Sequence, residues 1–168
     1  MRLITLALVL VASAAVRAQD VPLEYRVKAA YLFNFAKFVE WPAAAAAGPI
    51  SICVAGRNVF GDALAETVRG EAISGRPFAV RVILEPEPGC HIIFVPQGAA
   101  VAAYLRAART SPALTVGESA DFIEQGGIVN FTLEGGNVRF EIDPQAAERV
   151  GLRISSRLLR LARGPGGA

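Results

Sequence analysis

The chain has 168 residues, of which 53% are apolar, with seventeen Lys and Arg against fifteen Asp and Glu, one His and two Cys. A chain of roughly this size encloses one core, and its near-balanced charge lacks the clustered basic face that sequence-independent nucleic-acid binding requires. No nucleic-acid partner is expected.

Residues 1–18 read as a cleaved secretory signal peptide. Arg2 supplies the positive start, residues 3–11 the apolar run, and Val16-Arg17-Ala18 the small-residue cleavage pattern. The apolar run is shorter than the roughly 20 residues of a membrane-spanning helix, and Arg17 interrupts it, which disfavours an anchor. Without Arg2 and Arg17 the domain at 19–163 carries fifteen charges of each sign, followed by a flexible tail at 164–168. An exported, soluble domain is expected in the periplasm.

Residues 23–40 form a helix that Trp41-Pro42 stops, because proline disfavours helical geometry in its predecessor. Tyr25, Ala29, Leu32, Ala36 and Val39 make one apolar stripe at helical spacing, and Tyr31, Phe35 and Phe38 make a second. The second stripe either lies under the rest of the domain or is a surface for a partner or a second copy of the chain. A linker at 43–48 leads to a β-branched strand at 49–56 and a helix at 60–68. Strands follow at 78–84 and 90–96, separated by a Glu85-Pro-Glu-Pro-Gly turn, then a helix at 98–108 and a strand at 113–117. Residues 119–125 read as a short helix with Ser119 at its N-cap and Gly126 as its stop. Strands at 128–133 and 138–142 flank Gly135-Gly136 as a tight hairpin, and helices at 144–150 and 155–162 close the domain. The alternation predicts an α/β sandwich: a mixed, mostly parallel sheet of about six strands flanked by helices, with a closing β-hairpin near the C-terminus.

Motifs for chemistry are weak. Gly56 and Gly61 have the spacing of a phosphate-binding loop, but Asp62-Ala63 stands where Lys-Ser/Thr is needed, and no GxGxxG occurs. His91, the single histidine, lies in an apolar run, which argues for a structural role over catalysis or metal binding. Glu141 and Asp143 share a strand face with Arg139, as a solvated charge ladder does. Arg149, Arg153, Arg157 and Arg160 read as a solvent-facing edge broken by Gly151, and Ser155 and Ser156 have no base in view. No catalytic residue, cofactor or metal is assigned, and an enzyme is not expected. Cys53 and Cys90, both in expected core strands of an exported chain, are expected to pair as a disulfide. The alternative is two buried free thiols.

Taken in order, YRVKAAYLFNFAKFVEWP from Tyr25, ICVAGRNVFGDAL from Ile52, GRPFAVR from Gly75, CHIIFVP from Cys90, LTVGESADFIEQGGIVNF from Leu114 and VRFEIDPQAAERVGLRISSRLLRLA from Val138 resemble the YfiR-type family of periplasmic repressors. The resemblance implies a non-catalytic regulator that binds the periplasmic sensory domain of an inner-membrane diguanylate cyclase and represses cyclic di-GMP synthesis and biofilm formation. It also implies release by an outer-membrane peptidoglycan-binding lipoprotein, and it fits a disulfide between Cys53 and Cys90. Tyr31, Phe35 and Phe38 are the expected partner-binding residues, since aromatic side chains are enriched at interfaces. The competing expectation is a small-molecule-binding or chemosensory module acting on a sensor kinase, with a pocket over the strand ends near Gly56 or Gly117.

Overall fold

A computed structural model describes residues 21–162. The expected signal peptide and the tail lie outside the described residues.

The first helix, α1 (Leu23–Phe38), ends two residues earlier than expected, because Val39–Glu40 is extended as strand β1. There follow β2 (Ile50–Ala55), α2 (Ala63–Val68), β3 (Ala72–Ile73), β4 (Arg76–Ile83), β5 (Ile92–Val95) and α3 (Val101–Ala108). The rest of the domain is β6 (Leu114–Gly117), β7 (Val129–Glu134), β8 (Asn137–Ile142), α4 (Pro144–Arg149), β9 (Arg153–Ile154) and α5 (Ser156–Leu161). The main sheet has the order β3-β4-β2-β5-β6-β7-β8, parallel from β4 through β7 and antiparallel at both edges. It is thus seven-stranded where about six strands were expected. The short β3 and β9 are additions to the expected set, and β9 pairs antiparallel with β1 in a separate two-stranded sheet.

The central strands are apolar throughout because both faces are covered. Ile52 and Val54 of β2, with Ile92 and Phe94 of β5, pack in the cluster that holds Leu32 and Phe35 of α1 and Leu64 of α2. Their neighbours Cys53, Ala55, Ile93 and Val95 turn the other way, toward Tyr104 and Leu105 of α3. Local signals fix the edges of this frame. Gly135 and Gly136, with φ of 55° and 78°, turn the β7–β8 hairpin, as paired positive φ values do. Asp143 caps α4 by accepting from the backbone N–H groups of Gln145 and Ala146.

Cys53 and Cys90 form a disulfide with Cα atoms 5.8 Å apart. Cys53 stands in β2 as expected, but Cys90 precedes β5 by two residues, so the bond ties a strand to the loop that enters its neighbour. Closing a loop of roughly 38 residues stabilises a fold by about 4 kcal/mol in the chain-entropy account. His91, next in sequence, is buried. Its Nδ1 accepts from the Ser51 N–H at 3.1 Å, and its Nε2 lies 2.8 Å from the Ala45 carbonyl. It therefore holds the 43–48 linker against the sheet, a structural role.

The expected helix at 119–125 is instead a chain of turns running to Gly126. Packing overrides the capping signal here. Phe122 is fully buried, and its ring fits between Gly117 and Gly127, where an added Cβ at either glycine would stand 2.2 Å from a ring carbon. The Gly127 N–H donates to the Phe122 carbonyl at 2.9 Å, which closes the turn around the ring.

Replacing Gly117 or Gly127 by Ala is expected to lower stability by about 1–3 kcal/mol through overpacking, read as a lower urea midpoint at unchanged slope. A second expectation concerns pH. Burial, its largest cause, with the Arg76 guanidinium nearby, lowers the His91 pKa below its ordinary value of 6.5 despite the Ala45 carbonyl. Above that value both folded and unfolded forms are neutral. Below it the unfolded chain takes up a proton that the folded protein refuses, so stability falls as pH drops from 6.5 through the folded value. The urea midpoint should decline between pH 7.5 and 5.5, and His91→Gln should flatten that decline.

Candidate functional site

The carboxyl ends of β5 and β6 face the start of α1, and three ionisable side chains meet there. Lys28 is on the buried side of α1 one position before Ala29, and its side chain is only 3% exposed. Glu118 follows β6 directly and its side chain is 7% exposed. Lys28 Nζ donates to Glu118 Oε2 at 2.6 Å and also to Glu24 Oε1, one turn earlier on the helix. The other oxygen of Glu118 accepts from the Tyr25 hydroxyl at 3.1 Å and from the Gln97 backbone N–H at 2.8 Å. Every oxygen of this buried carboxylate is thereby partnered, which offsets the desolvation of the pair. Burial and the Glu118 charge push the Tyr25 pKa up to about 12, so its hydroxyl stays a donor. Lys28 also lies 4.8 Å over the Tyr25 ring and 5.8 Å over that of Phe131.

Beside this cluster is a cavity of about 480 Å³ lined by these residues together with Ser119, Asn130 and Phe131. It exists because β6 ends at Gly117, which pairs with Asn130, while β7 runs on to Glu134 without a neighbour on that side. A crevice outside the carboxyl ends of parallel strands is where such sheets commonly bind ligands. The position is one strand away from β2/β5, where the strand order reverses. Of the two strand ends where the competing reading expected a pocket, near Gly56 or Gly117, the cavity lies by the second, next to Glu118.

The expected partner-binding aromatics fall elsewhere. Phe35 is 0% exposed and belongs to the core, packed on Phe131 and Phe140 of the β7–β8 hairpin, so it presents no surface. Tyr31 is half-buried on the same hairpin, and Phe38 is half-buried beneath the Arg157 guanidinium. The rest of the domain covers much of the second stripe. Glu141 donates no chemistry to a pair with Asp143: it accepts from the Asn130 amide, while Asp143 serves as the α4 cap. Ser155 caps α5 by accepting from the Leu158 N–H.

Sequence reasoning passed over Tyr25, Lys28 and Glu118 as functional candidates. The available signals were a lysine set among buried helix positions and an acidic residue immediately after an apolar strand.

Comparison with known proteins places the whole fold in a family. The sequence pattern of the YfiR/HmsC-like family matches residues 25–163, the greater part of the chain. The chain belongs to the YfiR/HmsC-like family. This family is generally regulatory and non-catalytic. A crystal structure of a conserved domain protein from Vibrio cholerae O1 biovar eltor str. N16961 is similar in fold, with a TM-score of 0.56 and 13% sequence identity. The similarity covers 83% of this chain and 59% of that one, so this chain spans under two thirds of that protein's length. No curated protein matches.

Within this YfiR/HmsC-like domain the Lys28–Glu118 pair fastens α1 to the sheet. Lys28→Ala leaves Glu118 buried with one oxygen unpaired, and is expected to destabilise by about 3–5 kcal/mol. Adding Glu118→Gln to that variant should recover part of the loss, read as a positive coupling in a double-mutant cycle of urea unfolding.

Proposed function

We propose that this protein is a periplasmic regulator that binds the periplasmic sensory domain of an inner-membrane diguanylate cyclase and represses cyclic di-GMP synthesis. The observation that carries this reading is the family match over residues 25–163. The Cys53–Cys90 disulfide supports it, since such bonds persist in oxidising compartments. So does the character of the described side chains at the strand ends, whose carboxylate and lysine are bound to each other and offer no free base or nucleophile.

The mechanism is linkage. A repressor that binds the inactive cyclase conformation more tightly than the active one shifts the cyclase equilibrium, and moving it from 1:99 to 99:1 takes about 5.5 kcal/mol of differential affinity. The half-buried Tyr31 and Phe38 remain the residues of the original aromatic set with surface to offer. Capture by an outer-membrane peptidoglycan-binding lipoprotein would compete for the repressor and release the cyclase.

Deleting the gene should raise cellular cyclic di-GMP, and restoring it should lower the level again. The mature protein should retain the periplasmic domain of the membrane cyclase encoded beside it in a pull-down. Unchanged cyclic di-GMP with no retention, or retention by a neighbouring sensor kinase in its place, overturns the reading.

A further inference from the structure

The linker between β1 and β2 is held by two side chains that meet end to end. Arg76, at the start of β4, donates from Nε to the Gly48 carbonyl at 2.7 Å and from Nη2 to the Ala45 and Ala47 carbonyls at 3.2 and 3.3 Å. His91, just before β5, donates from Nε2 to the Ala45 carbonyl at 2.8 Å. That direction follows from the other ring nitrogen: Nδ1 accepts the Ser51 N–H, so the neutral ring carries its proton on Nε2. Arg76 Nη2 stands 2.8 Å from the same Nε2, and two donors therefore converge on the Ala45 carbonyl.

This arrangement has no room for a second proton on the ring. A proton on Nδ1 would point at the Ser51 N–H, donor against donor across 3.1 Å, and its charge would arise beside the Arg76 guanidinium. No carboxylate offsets it. The cavity along this side of the ring, from Ala44 and Pro49 to Gly89 and Pro112, has no charged residue in its lining. Charges on the adjoining segments are engaged with each other: Glu40, next to Trp41, with Arg153 at 3.9 Å, and Glu87, three residues before Cys90, with Arg81 at 2.7 Å. Cys90 is in the disulfide and does not titrate. The Trp41 ring makes a T-shaped contact with the imidazole, their centroids 5.7 Å apart.

We propose that His91 and Arg76 form an acid-sensitive latch: proton uptake by the imidazole breaks its Ser51 and Arg76 contacts and releases the 43–48 linker while the sheet stays folded. The change is local because the linker has little else to hold it. Its Ala43–Ala45 turn buries none of its residues, whereas the strands on either side are fixed by the apolar core and the Cys53–Cys90 bond. Below the ordinary imidazole value of 6.5 the released form takes up a proton that the latched form refuses. Each pH unit in that range therefore favours release about tenfold, until the latched ring itself titrates. The latch needs no cyclase, so it stands or falls separately from the regulatory reading.

One histidine and one tryptophan in the chain make the test direct. The mature protein, carrying no added histidine, is titrated by NMR and fluorescence from about pH 7.5 to about pH 4.5. As the His91 ring takes up its proton, amide shifts at 43–48 and the Trp41 emission should change together. Protection of the Ser51 amide, corrected for intrinsic exchange, should fall about tenfold per pH unit below 6.5 while the amides of Ile92, Ile93 and Phe94 keep theirs. His91→Gln takes up no proton and should hold the linker shifts constant over the whole range. Arg76→Met removes the neighbouring cation and should move the ring titration upward, toward 6.5. If either variant fails to fold, the wild-type comparison of ring against linker decides. A ring that titrates while the linker shifts and Ser51 protection stay constant overturns the proposal. So does loss of protection across the whole sheet at the same pH, the result for general acid unfolding. Linker changes of equal size in folded His91→Gln overturn it as well.

Discussion

Seating α1 on the sheet is the constraint on which most of the structure depends. Ala29, Leu32, Phe35 and Ala36 are buried at helical spacing, so the rotation of the helix about its axis is set by apolar packing. Lys28 cannot avoid the consequence. Carried to the buried side by its neighbours, it requires an anion in the interior, and the anion must come from a fixed place. Glu118 supplies it because β6 ends one residue earlier, at Gly117. The turn after it is held by Phe122 wedged between Gly117 and Gly127. Core packing and site geometry are therefore one problem: whatever loosens the Phe122 turn also displaces the counter-ion of Lys28.

The sheet was legible in the sequence where burial on both faces writes a continuous apolar run, as in residues 50–55 and 92–95. The β7–β8 hairpin was legible through Gly135-Gly136, and α4 through Asp143-Pro144. What failed to show were the strands of two residues. Val39–Glu40 pairs with Arg153–Ile154, and two residues carry no periodicity to set against the helix that precedes them. The segment at 119–125 failed for a different reason. Its capping residue and glycine stop are local signals, and the niche that claims Phe122 is built from glycines on either side of it that only the folded sheet brings together.

The site divides in the same way. A pocket near Gly117 could be expected because strand ends are where parallel sheets leave room. Its residues could not be assembled, since Lys28 and Glu118 are 90 positions apart and meet only once the strand order is known. Phe35 shows the converse error. Its spacing with Tyr31 and Phe38 is compatible with an exposed aromatic surface, and the β7–β8 hairpin that covers it comes almost a hundred residues later. Amphipathic pattern identifies faces, but it does not say which later element arrives to cover them.

The arrangement also divides this end of the domain between two parts of the fold. Tyr25, Lys28 and Glu24 belong to α1, whereas Glu118, Ser119 and Asn130 belong to the sheet and its loops. Tyr31, two turns along the same helix from Glu24, is partly exposed. The His91 contacts hold the opposite, amino-terminal ends of β2 and β5, where Ser51 and Ala45 meet the histidine, and the Cys53–Cys90 bond ties the middle of β2 to the loop entering β5. One end of the sheet is thus clamped by covalent and buried contacts, whereas at the other the seat of α1 depends on an ion pair whose members come from elements 90 residues apart.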